Sequence, residues 1–324
     1  MKAVIISKNG GPEVLQLKDI ELKDPKSGEV LIKNQAIGLN YIDTYHRSGL
    51  YPVELPSHIG IEGAGIIEKI GPDIKEFKIG DKVAYASMPI GSYSTHRIFP
   101  IKKLVKVPNE IELENVVTLM TKGLTVFYLL HKTYPVKSGE TILFHAAAGG
   151  VGQIFCQWAK SLGCSVIGTV GSDEKIEIAK KFGCSHVINY SKDDFQKKVM
   201  EITNEEGLPV VYDGVGKITM EKSLGCLKMR GTFVSFGNAS GKLDLLDVGK
   251  LIAPKGLFLT RPSIAHYTAT RKELDEAASK LFDMVKTQKV KIDIYKKYYL
   301  NDVVTAHKDL EGRKIIGPAI IVPN

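Results

Sequence analysis

The feature that most constrains this 324-residue chain is the stretch HAAAGGVGQ at 145–153. It follows the apolar run Ile142, Leu143, Phe144 and precedes Val151, Ile154, Phe155, Trp158, Ala159 and Leu162, whose spacing places them on one helical face. The sequence therefore predicts a buried strand, a turn almost without side chains, and a helix start. At such a junction the first free backbone amides and the positive end of the helix dipole converge, which suits a pyrophosphate. Glycines there let the phosphate approach the backbone and let the helix pack on the strand. Aligned to GxGxxG, the stretch supplies Ala147, Gly149 and Gly152, so the first glycine is replaced. A degenerate match alone is equally a glycine-rich connector. Its place at the head of a strand–helix series favours a dinucleotide site.

That series runs through the middle of the chain. From about residue 124, apolar strands (ETILFHA, SVIGTV, HVINY, VVYDGV, TFVSFG, LFLTR) alternate with helical stretches beginning near Gly150, Asp173, Asp193 and Lys217. The alternation predicts an α/β fold with a doubly wound parallel sheet. Before it, short strands broken by Gly10-Gly11-Pro12, Gly71-Pro72-Asp73 and Gly80-Asp81 predict a β-rich domain. After it, an amphipathic helix carries Leu274, Ala277, Ala278, Leu281, Phe282 and Val285 on one stripe, and short strands around one helix (302–311) are expected to rejoin the first domain.

Bulk properties narrow the class. No window approaches the ~18 uninterrupted apolar residues of a membrane span, and the start MKAVIISKNGG reads as a first strand, not a signal peptide. A cytoplasmic location and no membrane partner are expected. Cys156, Cys164, Cys184 and Cys226 form no CxxC and are expected to be reduced core thiols. The net charge of +8 favours anionic partners. Its basic residues are scattered, and the densest aromatic-basic patch, Tyr295 to Tyr299, reads as an exposed strand with solvated lysines. An anionic cofactor is expected, and nucleic acid is not the expected partner.

The strand SVIGTV indicates which dinucleotide. An NAD site wants an acidic side chain at its tip, about 20 residues past the glycines. Here stand Thr169, Val170, Gly171 and Ser172, while Ser172, Lys175 and Tyr190 can donate to a 2'-phosphate. NADPH is the expected cofactor. Asp173 and Glu174 weigh against it unless they only charge the helix start.

The blocks GPEVLQL, AIGLNYIDTYHRSGLYP, GLTVFYLL, FHAAAGGVG, CQWAKSLG, VINY, VVYDGVG, VSFGNASG and TRPS together resemble the NADPH:quinone oxidoreductases. These are the zeta-crystallin-like, zinc-free branch of the medium-chain dehydrogenase/reductase superfamily, and the match runs over essentially the whole chain. The resemblance implies a GroES-like β-rich domain at 1–123 and 262–324 around a Rossmann NADPH-binding domain at 124–261, usually as a homodimer. Residues 60–65, GIEGAG, resemble the GHExxG signature of zinc alcohol dehydrogenases with Ile61 in the place of the ligating histidine; by resemblance Asn40 takes the place of the first catalytic cysteine. A catalytic zinc needs about three protein ligands, no cysteine precedes residue 156, and Glu62 reads as a structural carboxylate.

A metal-free site of this fold suits an acceptor that is already electrophilic, such as a quinone or conjugated enone. By resemblance, Asn40, Tyr45, Tyr51 and Thr125 would line the acceptor pocket at the cleft between domains. Gly149, Gly150, Val151 and Gly152 would meet the pyrophosphate, and Gly171, Ser172, Lys175 and Tyr190 the adenosine phosphate end. Gly237, Asn238 and Ser263 would lie on the nicotinamide side. Asn40, Tyr128, Val215, Arg261 and Arg313 would be further cofactor contacts. The leading expectation is an NADPH:quinone reductase. The alternatives are an NADPH-dependent enal/enone double-bond reductase and, from another class, an NADPH-holding RNA-binding or structural crystallin-like protein.

Overall fold

In the computed structural model, which describes residues 1–243 and 245–323, eight strands precede residue 124. They are β1 (Lys2–Ile6), β2 (Gln16–Asp19), β3 (Glu29–Gly38), β4 (Ser57–His58), β5 (Glu62–Ile70), β6 (Lys82–Ala86), β7 (His96–Pro100) and β8 (Val105–Lys106). β1 lies between β2 and β4. β3 is the central strand of the larger sheet and pairs antiparallel with both β5 and β7. Its Val30, Leu31, Ile32, Ala36 and Ile37 are buried, so the β-branched residues that favour a pleated surface also form the core.

Six strands follow: β9 (Thr141–Phe144), β10 (Ser165–Val170), β11 (His186–Asn189), β12 (Leu208–Asp213), β13 (Leu227–Ser235) and β14 (Phe258–Thr260). All pair in parallel, in the order β11-β10-β9-β12-β13-β14. This is the doubly wound order in which ligands bind beyond the strand ends where the winding reverses, here beyond β9 and β12. Strands buried on both faces read as continuous apolar runs, which is why these six are legible. Helix Gly150–Ser161 buries Ile154, Phe155, Trp158 and Ala159, and Asp194 caps helix Phe195–Ile202 by accepting from the Gln196 and Lys197 amides.

The last strands, β15 (Lys296–Tyr299) and β16 (Ala319–Val322), return to the first sheet, where β16 runs antiparallel to β3 and parallel to β15. The lysines of β15 are exposed, as expected, and each also faces a carboxylate: Lys296 Nζ lies 2.8 Å from Asp309 and Lys297 Nζ 2.6 Å from Glu114, while Tyr298 is buried. The chain thus forms two units. One holds Met1–Leu124, Thr268–Phe282 and the chain from Ile292 on, and the other Thr125–Tyr267 and Asp283–Lys291. The segment 283–291 goes with the second unit because the Gln157 side chain exchanges two hydrogen bonds with the Lys291 backbone, at 2.9 and 3.0 Å. All four cysteines are free and buried, with Cys156 Sγ 3.3 Å from Cys184 Sγ. Among the described residues no helix is long and apolar enough to cross a membrane.

Candidate functional site

The parallel-sheet unit carries the glycine turn. His145 N donates to Tyr212 O and Ala147 N to Thr169 O, both at 3.0 Å, so the turn is stitched to the two strands flanking β9. The His145 ring, fully buried, bolts it from below. Ser223 Oγ donates to Thr219 O, so it accepts from His145 Nε2 at 2.8 Å, and Nδ1 accepts from Thr169 Oγ1 at 2.8 Å. Burial holds this imidazole below the usual histidine range, consistent with a neutral ring. Ala146 adopts φ 57°, and Gly149 N turns back to Ala146 O at 2.9 Å. The amides of Gly150, Val151 and Gly152 then open the helix, where the helix itself offers them no acceptor. A Cβ at Gly152 would stand 2.4 Å from Ala147 O and 2.6 Å from Ala146 O, so only glycine fits. A rigid turn with three amides at the positive end of a helix matches a diphosphate.

The end of β10 brings Gly171, Ser172, Lys175 and Tyr190 to one edge. A Cβ on Gly171 would lie 3.0 Å from Tyr190 Oη, and Ser191 Oγ donates to Gly171 O at 2.9 Å. Asp173 accepts from Asn189 Nδ2 at 2.7 Å and from Lys192; these two partners hold its carboxyl below the ordinary range. Ser172 Oγ donates to Glu174 at 3.1 Å. Lys175 ends the 3-10 turn Asp173–Lys175 and is half-buried. Of the two carboxylates that weighed against NADPH, Asp173 is thus engaged at the end of the edge strand β11, and Glu174 accepts from Ser172.

Beyond β12, Asp213 is fully buried and accepts from Val215 N at 2.7 Å, Gly216 N at 3.0 Å and Thr219 Oγ1 at 2.7 Å, which fixes the turn carrying Val215. Gly237 packs so tightly on that turn that a Cβ would meet Gly214 O at 2.4 Å. Arg261 Nη1 donates to Ser235 Oγ and Gly237 O, each at 3.1 Å, and its Nη2 faces the Asn238 side-chain oxygen at 3.0 Å with that amide turned to accept. Arg261, expected at the cofactor, also supports the loop bearing Gly237 and Asn238. Ser263 is half-buried just before helix Ile264–Tyr267. Tyr128 stacks on Tyr267, with ring centroids 4.9 Å apart and planes 7° from parallel, and Thr125 is buried on the same helix, Met120–Tyr128.

In the β-rich unit, Asn40 starts helix Tyr41–Ser48. Its Nδ2 donates to Glu62 Oε2 at 2.6 Å, and its Oδ1 accepts from Lys122 Nζ at 2.8 Å. Glu62 Oε1 accepts from Thr121 N at 2.7 Å. Burial pushes the Glu62 carboxyl up, opposed by the Lys122 ammonium and then by the Asn40 and Thr121 donors. Asn40, expected to line the acceptor pocket, thus has one amide proton committed and its plane fixed. Ile61, 5% exposed, offers no lone pair, and among the described residues no group of three or more His, Cys, Asp or Glu side chains is placed to hold a metal ion. One turn along the helix, Tyr45 and Tyr51 meet edge to face at 5.2 Å, with Tyr41 6.3 Å from Tyr45; all three rings are half-buried. Arg313 lies exposed after helix Val303–Glu311 at φ 57°.

Behind Asn40 runs a chain of buried polar groups that the sequence did not disclose. Arg47 Nη1 donates to His307 Nδ1 at 3.0 Å, so the other ring nitrogen carries the proton and donates to Tyr93 Oη at 3.0 Å. Tyr93 in turn donates to Asp43 Oδ2 at 3.0 Å. Asp43 Oδ2 also accepts from Asn40 N at 3.0 Å, while Arg47 closes the far end on Glu311 with two bonds of 2.7 and 3.0 Å. Burial raises the Asp43 carboxyl from 3.8 to about 7, against the Asn40 and Tyr93 hydrogen bonds. Burial and Arg47 lower His307 to about 3, in keeping with a neutral imidazole. Glu62 is the structural carboxylate expected, whereas Lys122, Asp43, Tyr93 and His307 are polar residues that sequence reading missed. The available signal was a lone charge inside an apolar or glycine stretch, as in GIEGAG and MTKGLTVFYLL.

Comparison with known proteins follows the same division. The zinc-binding dehydrogenase family matches residues 150–283, and the alcohol dehydrogenase GroES-like domain matches residues 26–109. Quinone oxidoreductase 1 of Escherichia coli K12 is 47% identical, with 98% of each chain covered. A 2-haloacrylate reductase of a Burkholderia species is 43% identical, over 99% of this chain and 98% of its own. Among solved structures, Escherichia coli quinone oxidoreductase complexed with NADPH superposes with a TM-score of 0.98 at 45% identity, covering 100% of both chains.

Proposed function

The chain belongs to the NADPH:quinone oxidoreductases of the medium-chain dehydrogenase/reductase superfamily, and on that premise we propose that it reduces quinones with NADPH. The observation that carries the reading is the side-chain-free start of helix Gly150–Ser161, where three amides and the helix dipole meet with no room for a Cβ at Gly152. When bound, NADPH supplies a hydride to an electrophilic acceptor. The residues of this chain do the rest. Gly150, Val151 and Gly152 grip the diphosphate, with Gly149 shaping the turn. Ser172, Lys175 and Tyr190, beside Gly171, take the 2'-phosphate. Val215, Gly237, Asn238 and Ser263 hold the nicotinamide side, with Arg261 bracing their loop. Tyr128 and Arg313 are assigned to the cofactor and Thr125 to the acceptor.

On the acceptor side, Tyr45 and Tyr51 suit a flat ring. Asn40 presents its remaining amide proton to the acceptor or the nicotinamide, in an orientation fixed by Glu62 and Lys122. A quinone needs mainly alignment within about 3–3.5 Å of the hydride donor. Titrating NADPH and NADH against the fluorescence of Trp158, buried in the helix that bears the glycine turn, tests the cofactor; NADPH should bind more tightly, and equal or tighter NADH binding overturns the role of Lys175. Steady-state rates with a naphthoquinone and with an alkenal test the acceptor. The 43%-identical 2-haloacrylate reductase favours a second reading, reduction of an activated double bond, and a higher kcat/KM on the alkenal would select it.

The assembly follows from the sheet edge. β14 ends the parallel sheet with Phe258 61% and Leu259 41% exposed, a strand suited to pairing across a twofold axis. A homodimer is the expected species, to be checked by light scattering. Four buried free thiols fit a reducing cytoplasm. Lys296 and Lys297, in the densest basic patch, each face a carboxylate, which weakens the local positive charge and supports ranking RNA binding last.

A further inference from the structure

A lysine buried in the β-rich unit is the group for which fold alone gives least reason. Lys122 keeps only 7% of its surface exposed, yet it sits within an otherwise apolar run from Leu119 to Leu130 broken by Thr121, Gly123 and Thr125. Burying an ion pair seldom stabilises a protein more than apolar residues of the same volume would. The pairing is also incomplete. Of the three ammonium protons, one goes to Asn40 Oδ1 at 2.8 Å, while Glu62 Oε2 stands 3.9 Å away, an ion-pair partner beyond hydrogen-bond reach. The Glu62 oxygens are taken by Asn40 Nδ2 and Thr121 N. Among the described residues Lys122 Nζ thus has one protein acceptor, and it is the amide of Asn40, the residue assigned to the acceptor.

We propose that the Lys122 ammonium, steadied by Asn40 and Glu62, is the electrophile of the reaction and hydrogen-bonds the acceptor's carbonyl oxygen. The inference rests on the quinone-reductase reading. Hydride addition to a quinone leaves a pair of electrons and a negative charge on a conjugated oxygen. A fixed cation in a water-poor site stabilises that charge without having to reorganise. The oxygen takes a proton from the ammonium, giving the neutral hydroquinone, and the amine regains a proton from water. In sum, one quinone, one hydride and one proton become one hydroquinone. Ile61 and Asn40 leave this region without a metal's usual donors, and Lys122 supplies positive charge there by a different route. The charged groups around it are Glu62 and Asp43; Asp43 carries little negative charge while its carboxyl holds a proton, below about pH 7.

Two readouts decide it. Replacing Lys122 alone strands Glu62, so the pair K122M/E62Q, which removes both charges together, is made beside K122R. K122M/E62Q should bind NADPH as the parent does and lose about 100-fold in kcat/KM for a naphthoquinone, with K122R in between. The second readout needs no cofactor. 4-Nitrophenol, a planar stand-in for the developing oxyanion, should ionise about one pH unit lower when bound to the parent than when free, seen in its visible absorbance. That displacement should vanish in K122M/E62Q. Turnover within a factor of about 3 of the parent, below the loss expected for one oxyanion donor, overturns the proposal. So does a phenol whose ionisation is unmoved in the parent or still displaced in the double variant. Absence of quinone turnover in the parent itself would sink the reductase reading instead, and the phenol titration would still decide where the ammonium points.

Discussion

The glycine turn of the parallel sheet and the polar cluster beneath Asn40 are built from opposite materials. The turn uses the backbone: Gly150, Val151 and Gly152 present amides that any residue carries, and what matters is that side chains are missing. The cluster uses side chains drawn from positions 40, 62 and 122, backed by 43, 93, 307, 47 and 311. Backbone amides cannot titrate, so the turn should act alike across the working pH range. The cluster holds ionisable groups under desolvation, so its strength should depend on protonation and on every member being present.

The sharpest break of that comparison is Arg47→Met. The guanidinium side chain is 2% exposed and joins Gly10 O, His307 and the half-exposed Glu311, so its loss should cost about 4 kcal/mol in denaturant unfolding, chiefly from the acceptors at Gly10 and His307 left unpaired. A cost below about 1 kcal/mol, the level of an exposed pair, would show the network to be loosely held.

Asp43 gives the pH signature. The unfolded chain releases this proton near 3.8, the folded protein only near 7, so the folded state binds more protons between these values. Stability should therefore fall as pH rises through that window and level off above it, by about 4 kcal/mol from the cost per pH unit. Asp43→Asn should flatten the slope. Urea melts of both proteins across the window check it, and parallel slopes would contradict the assignment.

For the turn, Gly152→Val should weaken NADPH about 100-fold, since its Cβ would strike Ala146 O and Ala147 O and overpacking of this kind costs ~1–3 kcal/mol. The loss should be nearly constant with pH, unlike any loss in the cluster. Lys175→Ala should have the smallest effect. It should lower NADPH affinity about tenfold, leave NADH unchanged, and lessen the salt dependence of NADPH binding, as expected for one phosphate contact.

How much was legible follows from the same contrast. The six parallel strands, the stripe of helix Gly150–Ser161 and the glycine turn came from residues near one another in sequence, because a buried strand reads as an apolar run and a helix as a period. The stripe Leu274 to Val285 was legible too, and five of its six residues are buried, Val285 being half-buried. The lysines of β15 are exposed as read, but their carboxylate partners, Asp309 and Glu114, were not legible because they come from other parts of the chain. That the Arg261 guanidinium reaches back to Ser235 and Gly237 was likewise not legible, since those partners lie more than twenty residues away. Lys122 went unnoticed because one charge in an apolar helix has no periodic signature.

By itself the sequence determined a parallel sheet with a phosphate-ready turn, since apolar runs, glycine and helix periodicity act over a few residues and leave a local trace. Only the tertiary structure decided which polar side chains are stranded out of water and who answers them. Desolvation belongs to a place in space, and the groups from Arg47 to His307 or from Asn40 to Lys122 come to share one through long-range packing that no local pattern encodes.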